Sequence, residues 1–277
     1  MLRSLIADIV ILSCFAQASW AQSPPATPPA AQPAKSVAKK PTAKATTAAK
    51  QPGATESGPC RLGVISAIGD RFSVQKFGVT IFENEATEVP VEGWGFDDFV
   101  IARVRAATRA DPAVRRIAYP KRAFEPFYNP KSRLFPDPSE RLPAIVRRIT
   151  PNANCARYLV VTKLNGELPG TRMILNGIGT YNQGLGSLVR HSHLFANISL
   201  SLLDGRSYEQ ISRPFANFGT RMSESLRLTE DPLTKLDNSL YPEPAMAASN
   251  SPTLRERTRA LVAARLDQAL PGYLKDE

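Results

Sequence analysis

The chain has 277 residues, 43% of them hydrophobic, with 35 lysines and arginines against 25 acids for a net charge of +10 at pH 7. Two segments at the amino end take up the first 57 residues, which bounds the globular part to one good-sized domain with a full core. No nucleic-acid-binding motif and no phosphate-loop, dinucleotide or nucleophile-elbow signature accompanies the basic balance, so neither nucleic acid nor a cofactor is expected.

Arg3 gives a short positive region, and Ile9 to Phe15 form an apolar run too short to span a bilayer. Small residues follow that suit a signal peptidase after Ala21 or Ala18, so residues 1–21 read as a secretory signal in spite of Asp8 at the edge of the run. Ile11, Leu12, Ser13 and Cys14 also resemble a bacterial lipoprotein box, although Leu12 stands where that pattern prefers a small residue; a lipidated Cys14 would anchor the chain to a membrane. Residues 22–57 are Pro, Ala, Lys, Thr, Ser and Gln almost throughout, with no aromatic residue, and cannot bury enough apolar surface to offset the entropy of ordering. They read as a disordered tether whose five lysines face only Glu56. A periplasmic or secreted location follows.

Residues 58–277 are expected to form a single α/β domain with a mixed, partly parallel sheet, a hairpin-rich beginning, flanking helices and a C-terminal helix. Arg61 to Val91 alternates β-branched and aromatic residues with polar ones around Gly69-Asp70, Gly78 and Glu83 to Ala86, the pattern of short antiparallel strands. Asp97 or Asp98 is placed to cap a helix running to about Arg109, and Val114 to Tyr119 reads as a short strand. Ser139 to Ile149 carries Leu142, Ile145, Val146 and Ile149 at helical spacing, and Tyr158 to Leu164 has the apolar run of a central strand. Such alternation favours parallel pairing. From Met173 the pattern turns antiparallel, with hairpin glycines at 177, 179, 184 and 186, a long strand over Leu188 to Leu203 and a turn at Asp204-Gly205. Phe215 to Ser251 is irregular, with a short helix near Arg221 to Leu228, and Pro252 to Leu270 closes the chain as a helix with Leu254, Leu261, Ala264 and Leu266 to Leu270 on its apolar side. Cys60 and Cys155 each stand just ahead of a strand; if those strands are parallel neighbours, the thiols meet and form a disulfide.

The order after Asp97, ending in LFANISLSLLDGRSYEQI and then a helix, resembles small bacterial envelope domains such as the TolB amino-terminal domain, the curli-secretion lipoprotein and the lipoprotein activators of penicillin-binding proteins. The chain is also similar to the many uncharacterised exported proteins of Gram-negative bacteria. The resemblance implies a periplasmic binding or scaffolding module and not an enzyme; the strand-rich opening from Arg61 to Val91 departs from it.

Among candidate sites the richest stretch is Tyr119 to Pro138, where aromatic residues interleave with cations after a strand expected to be parallel, the position at which open α/β sheets bind ligands. With the basic run from Arg103 to Arg148, it nominates Arg115, Arg116, Lys121, Arg122, Phe124, Phe127 and Tyr128 as a binding surface for an envelope protein or an anionic cell-surface polymer, provided the cations share a face. His191 and His193, two apart on a strand, point the same way and form a bare metal or hydrolase candidate with no third ligand apparent nearby. No catalytic residue is assigned.

Overall fold

The computed structural model describes residues 59–78, 81–132, 137–168, 171, 173–185, 189–212 and 233–275. They belong to the compact unit Ala54–Glu277. The signal, Cys14, the tether, Arg133, Phe135, Gly186, Ser187 and the helix expected near Arg221 lie outside the described residues.

In chain order the elements are β1 (Cys60–Ser66), β2 (Arg71–Phe77), β3 (Glu85–Pro90), α1 (Phe96–Ala107), β4 (Val114–Arg116), α2 (Glu125–Tyr128) and α3 (Leu142–Ile149). There follow β5 (Cys155–Lys163), β6 (Asn165–Glu167), β7 (Ile174–Asn176), β8 (Ile178–Leu185), β9 (Val189–Ala196), β10 (Ile198–Asp204), β11 (Leu233–Leu236) and α4 (Pro252–Leu274). The α/β class and the closing helix are those the sequence indicates. The strands divide between two mixed sheets, one in the order β10-β5-β1-β4 and the other β11-β9-β8-β2-β3, with β6 and β7 as a separate ribbon.

Strand β1 is the main departure from the antiparallel reading of Arg61 to Val91. It lies between β4 and β5, parallel to both, with Val64 opposite Arg116 on one side and Leu159 on the other. Leu62, Val64 and Ile65 are all fully buried, as both faces of the strand are covered and no polar face remains to give alternation. Gly69-Asp70 is therefore not a hairpin turn but the corner at which the chain leaves one sheet for the other. The hairpin proper is β2 with β3, registered Phe72 to Val89.

A second corner breaks the strand expected over Leu188 to Leu203. The single residue Asn197 separates β9 from β10, which pair in different sheets. Three chain segments meet there in a closed ring of backbone bonds: Leu164 N donates to Asn197 O, Gly177 N to Leu164 O and Asn197 N to Gly177 O, all at 2.9–3.0 Å. Gly177 has φ 64°, a left-handed turn that glycine reaches without strain.

Alternation along β1 and β5 sends Leu62, Val64, Leu159 and Val161 to one face, under α1 and α4, and Ile65, Tyr158 and Val160 to the other, under α3. The helices α1 and α3 thus cover opposite faces of the first sheet. Helix α4 buries a narrow stripe of Leu254, Thr258, Val262, Leu266 and Leu270. Thr258 enters the stripe satisfied, its hydroxyl donating to Leu254 O at 2.6 Å, while the expected Leu261 packs partly buried at its edge and Ala264 is exposed. An Arg103–Asp267 ion pair joins α1 to α4. At the amino ends of the parallel strands Cys60 stands opposite Cys155 in register, and the two form a disulfide with Cα atoms 4.5 Å apart.

Candidate functional site

The chains that leave β1 and β4 diverge. After β1 the backbone turns through Ile68 toward the face that α1 covers, whereas after β4 it turns through Phe124 toward the face of α3. Adjacent parallel strands whose exits part in this way leave a crevice beyond their carboxyl ends, the favoured ligand position in open α/β sheets. Here it has a volume of about 730 Å3 and is lined by Ser66 to Arg71, the start of α1 and Arg116 to Tyr128, in part.

Its floor is fixed by two phenols. Tyr119 Oη donates to Ser66 O at 2.5 Å, and Tyr128 Oη donates to Ala67 O at 2.7 Å while accepting from Lys163 N at 3.1 Å. Burial of the two hydroxyls, foremost, pushes both phenol pKa values up, so they remain donors across the physiological range. The loop that carries them is held against the end of β1 as a preformed wall.

Most acids of the crevice are engaged within the fold. Asp98 pairs with Arg116, Asp70 with Lys163 Nζ at 2.8 Å, and Glu125 accepts from Asn129 Nδ2 at 2.7 Å. Asp97 accepts from Ser66 Oγ at 2.6 Å and from Ile68 N at 3.2 Å, which ties the first turn of α1 to the corner after β1. Gly69 leaves room for this contact: a Cβ on it would come within 2.8 Å of the Asp97 carboxylate and displace it. The cations divide differently. Among the described residues the side chains of Arg71, Lys121 and Arg122 have no hydrogen-bond or ion-pair partner, and Glu92 is the acid of the crevice in the same position. The uncommitted charge is therefore cationic.

Burial raises the pKa of Asp97 above its ordinary value, aided by nearby Asp70 and opposed by the bonds from Ser66, Ile68 and Gly69. A carboxyl that holds its proton more tightly when folded contributes stability that is fully present below the ordinary carboxylate range, about pH 4, and is lost as pH rises through the raised value. Asp97→Asn keeps an acceptor for Ser66 and Ile68 and removes the titration. In urea unfolding between about pH 4 and 7, the wild type should therefore lose stability relative to this variant as pH rises; parallel curves would show that Asp97 does not titrate in that range.

Of the residues nominated from the sequence, the crevice brings together Arg116, Lys121, Arg122, Phe124 and Tyr128. Arg115 and Phe127 are not part of its lining. Phe124 is only 3% exposed and packs edge-on against Tyr119, with ring centroids 5.0 Å apart, so it shapes the wall more than it offers a surface. The basic run from Arg103 to Arg148 does not share one face: Arg103 binds α4, Arg116 and its loop line the crevice, and Arg147 lies over the Tyr208 ring on the α3 side. Arg71, Ser66 and Asp97 were not singled out as site residues; they enter because β1 is parallel and ends beside β4.

His191 and His193 lie on β9 in the other sheet. His193 stacks on Tyr181 at 5.2 Å between ring centroids, and His191 is exposed opposite Gln183. Among the described residues no group of three or more His, Cys, Asp or Glu side chains is placed to hold a metal. The carboxyl with the raised pKa, Asp97, belongs to the crevice and not to this strand. Neither a family model, nor a curated protein, nor a solved structure matches the chain.

Proposed function

We propose that the protein is an exported, non-catalytic envelope module that captures an anionic partner, an acidic protein segment or a cell-surface polymer, in the crevice beyond β1 and β4. One observation carries this reading: three cations from two chain segments, Arg71, Lys121 and Arg122, line one preformed crevice without a side-chain partner among the described residues. Cations left unpaired in a cleft hold a favourable potential for an incoming anion at no cost in broken ion pairs. Export rests on the amino-terminal sequence, and the Cys60–Cys155 disulfide supports an oxidising compartment. No helix among the described residues is long and apolar enough to cross a membrane.

Hydrogen exchange of the purified protein with and without hexaglutamate, and with and without a soluble polyanionic glycan, tests the location. Added protection should fall on residues 66–71 and 116–122 with at least one of the two probes. Protection confined to β9 and β11, or none with either probe, would count against the crevice.

A further inference from the structure

The crevice is not uniformly basic, and its chemistry says more about the ligand than its charge does. Arg71, Lys121 and Arg122 are uncommitted, yet Glu92 and Glu125 stand in the same lining. A plain polyanion gains from the cations and is repelled by these carboxylates. A ligand with one strongly anionic end and one hydroxyl-rich end satisfies both, because a carboxylate that repels an anion accepts hydrogen bonds well from hydroxyl groups.

The anionic end is set by the number and kind of the cations. A carboxylate brings one charge and two oxygens, fewer than the three cations that line this one crevice could engage. A phosphate monoester carries about −1.5 to −2 charge at pH 7 and three terminal oxygens. Two of the three cations are arginines, whose planar forks pair with phosphate through two parallel bonds. A volume of about 730 Å3 far exceeds one phosphate and lies within the range of sites that enclose small organic ligands. Phe96, Ile101 and Pro90 supply apolar wall for the body of the ligand.

Resting on the binding role above, we propose that the crevice recognises a phosphorylated sugar, free or as part of an envelope glycan, with its phosphate on Arg71, Lys121 and Arg122 and its hydroxyls toward Glu92 and Glu125. Isothermal titration of the purified protein with glucose 6-phosphate, inorganic phosphate, glucose and glucuronate reads this directly. Glucose 6-phosphate should bind more tightly than the other three, and Arg71→Gln or Arg122→Gln should each weaken it roughly ten- to a hundredfold, the usual cost of a lost charge-assisted bond. Glu92→Gln removes a repelling charge from both ligands and a hydroxyl acceptor from the sugar alone, so it should lower the preference for glucose 6-phosphate over inorganic phosphate. Neither arginine has a side-chain partner among the described residues, so the thermal midpoints of both variants should match the wild type.

Glucuronate binding as well as glucose 6-phosphate, or no binding of any phosphate, would overturn the proposal. A phosphorylated envelope glycan run alongside the free sugar phosphate separates the two sources: tighter binding of the glycan assigns the phosphate to a polymer, and preference for the free sugar to a soluble ligand. If hexaglutamate still protects the crevice from exchange while no phosphate binds, the binding role stands and the phosphate assignment fails. If neither probe nor phosphate engages the crevice, both fail.

Discussion

Removing the Cys60–Cys155 bridge by the double substitution Cys60→Ser, Cys155→Ser should lower the stability of the domain by about 4–5 kcal/mol, the loop-closure entropy released by a cross-link that encloses roughly 100 residues. The two cysteines are 95 residues apart in sequence. The bridge joins the first residues of two strands that are already registered by the ladder, Cys60 to Cys155, so the native state needs no rearrangement to form it. Gly63 keeps room for it: a Cβ at that position would lie 3.1 Å from Cys155 Sγ and closer still to the Tyr158 ring. For a domain of this size the loss corresponds to a fall of about 10–15 °C in thermal midpoint. Urea unfolding of the wild type with and without reductant, next to the double variant, measures it. A change below about 1 kcal/mol would mean that the unfolded chain is already constrained in this region or that the bridge is offset by native strain.

The second large effect belongs to the crevice. Replacing Arg71, Lys121 and Arg122 together with Ser should weaken binding of an anionic partner at least about a thousandfold, since hydrogen bonds to charged groups contribute about 1.5–3 kcal/mol each. The three line one crevice and on this proposal share one ligand, so their effects will not add strictly. The same variant should show a shallower dependence of affinity on salt, because fewer counterions are exchanged on binding. Its stability should stay within about 0.5 kcal/mol of the wild type, as these side chains have no partner among the described residues. Arg116→Ser should do less, because Asp98 already neutralises Arg116. Equal binding by the triple variant and the wild type would remove the basis of the proposed function.

How much of this was legible in the sequence depended on whether the deciding contact was local. Helix α3 was readable because Leu142, Ile145, Val146 and Ile149 recur at helical spacing, and Ile145 and Val146 are fully buried. The disulfide was readable because each cysteine opens an apolar strand. The division into two sheets was not, since a single Asn197 inside an apolar run changes the pairing partner without changing the pattern. Strand β1 misled in the same way: Gly69-Asp70 has the composition of a hairpin turn and serves as a corner between sheets. That one misreading also hid half of the site. The rule that placed the ligand at the end of β4 applies equally to β1: the parallel pairing considered for the disulfide with β5, extended to β4, brings Ser66 to Arg71 beside Arg116 to Arg122. Asp97, expected as a helix cap, sits in the first turn instead, with Gly95 as the N-cap and its carboxylate spent on the β1 corner.

The central claim is that partners are met at this crevice and not on the histidine-bearing sheet. A photo-crosslinking residue at Glu92, on the crevice rim, should capture a partner in intact cells, and the same residue at His191 should not. Capture from position 191 alone, or equally from both, would contradict it.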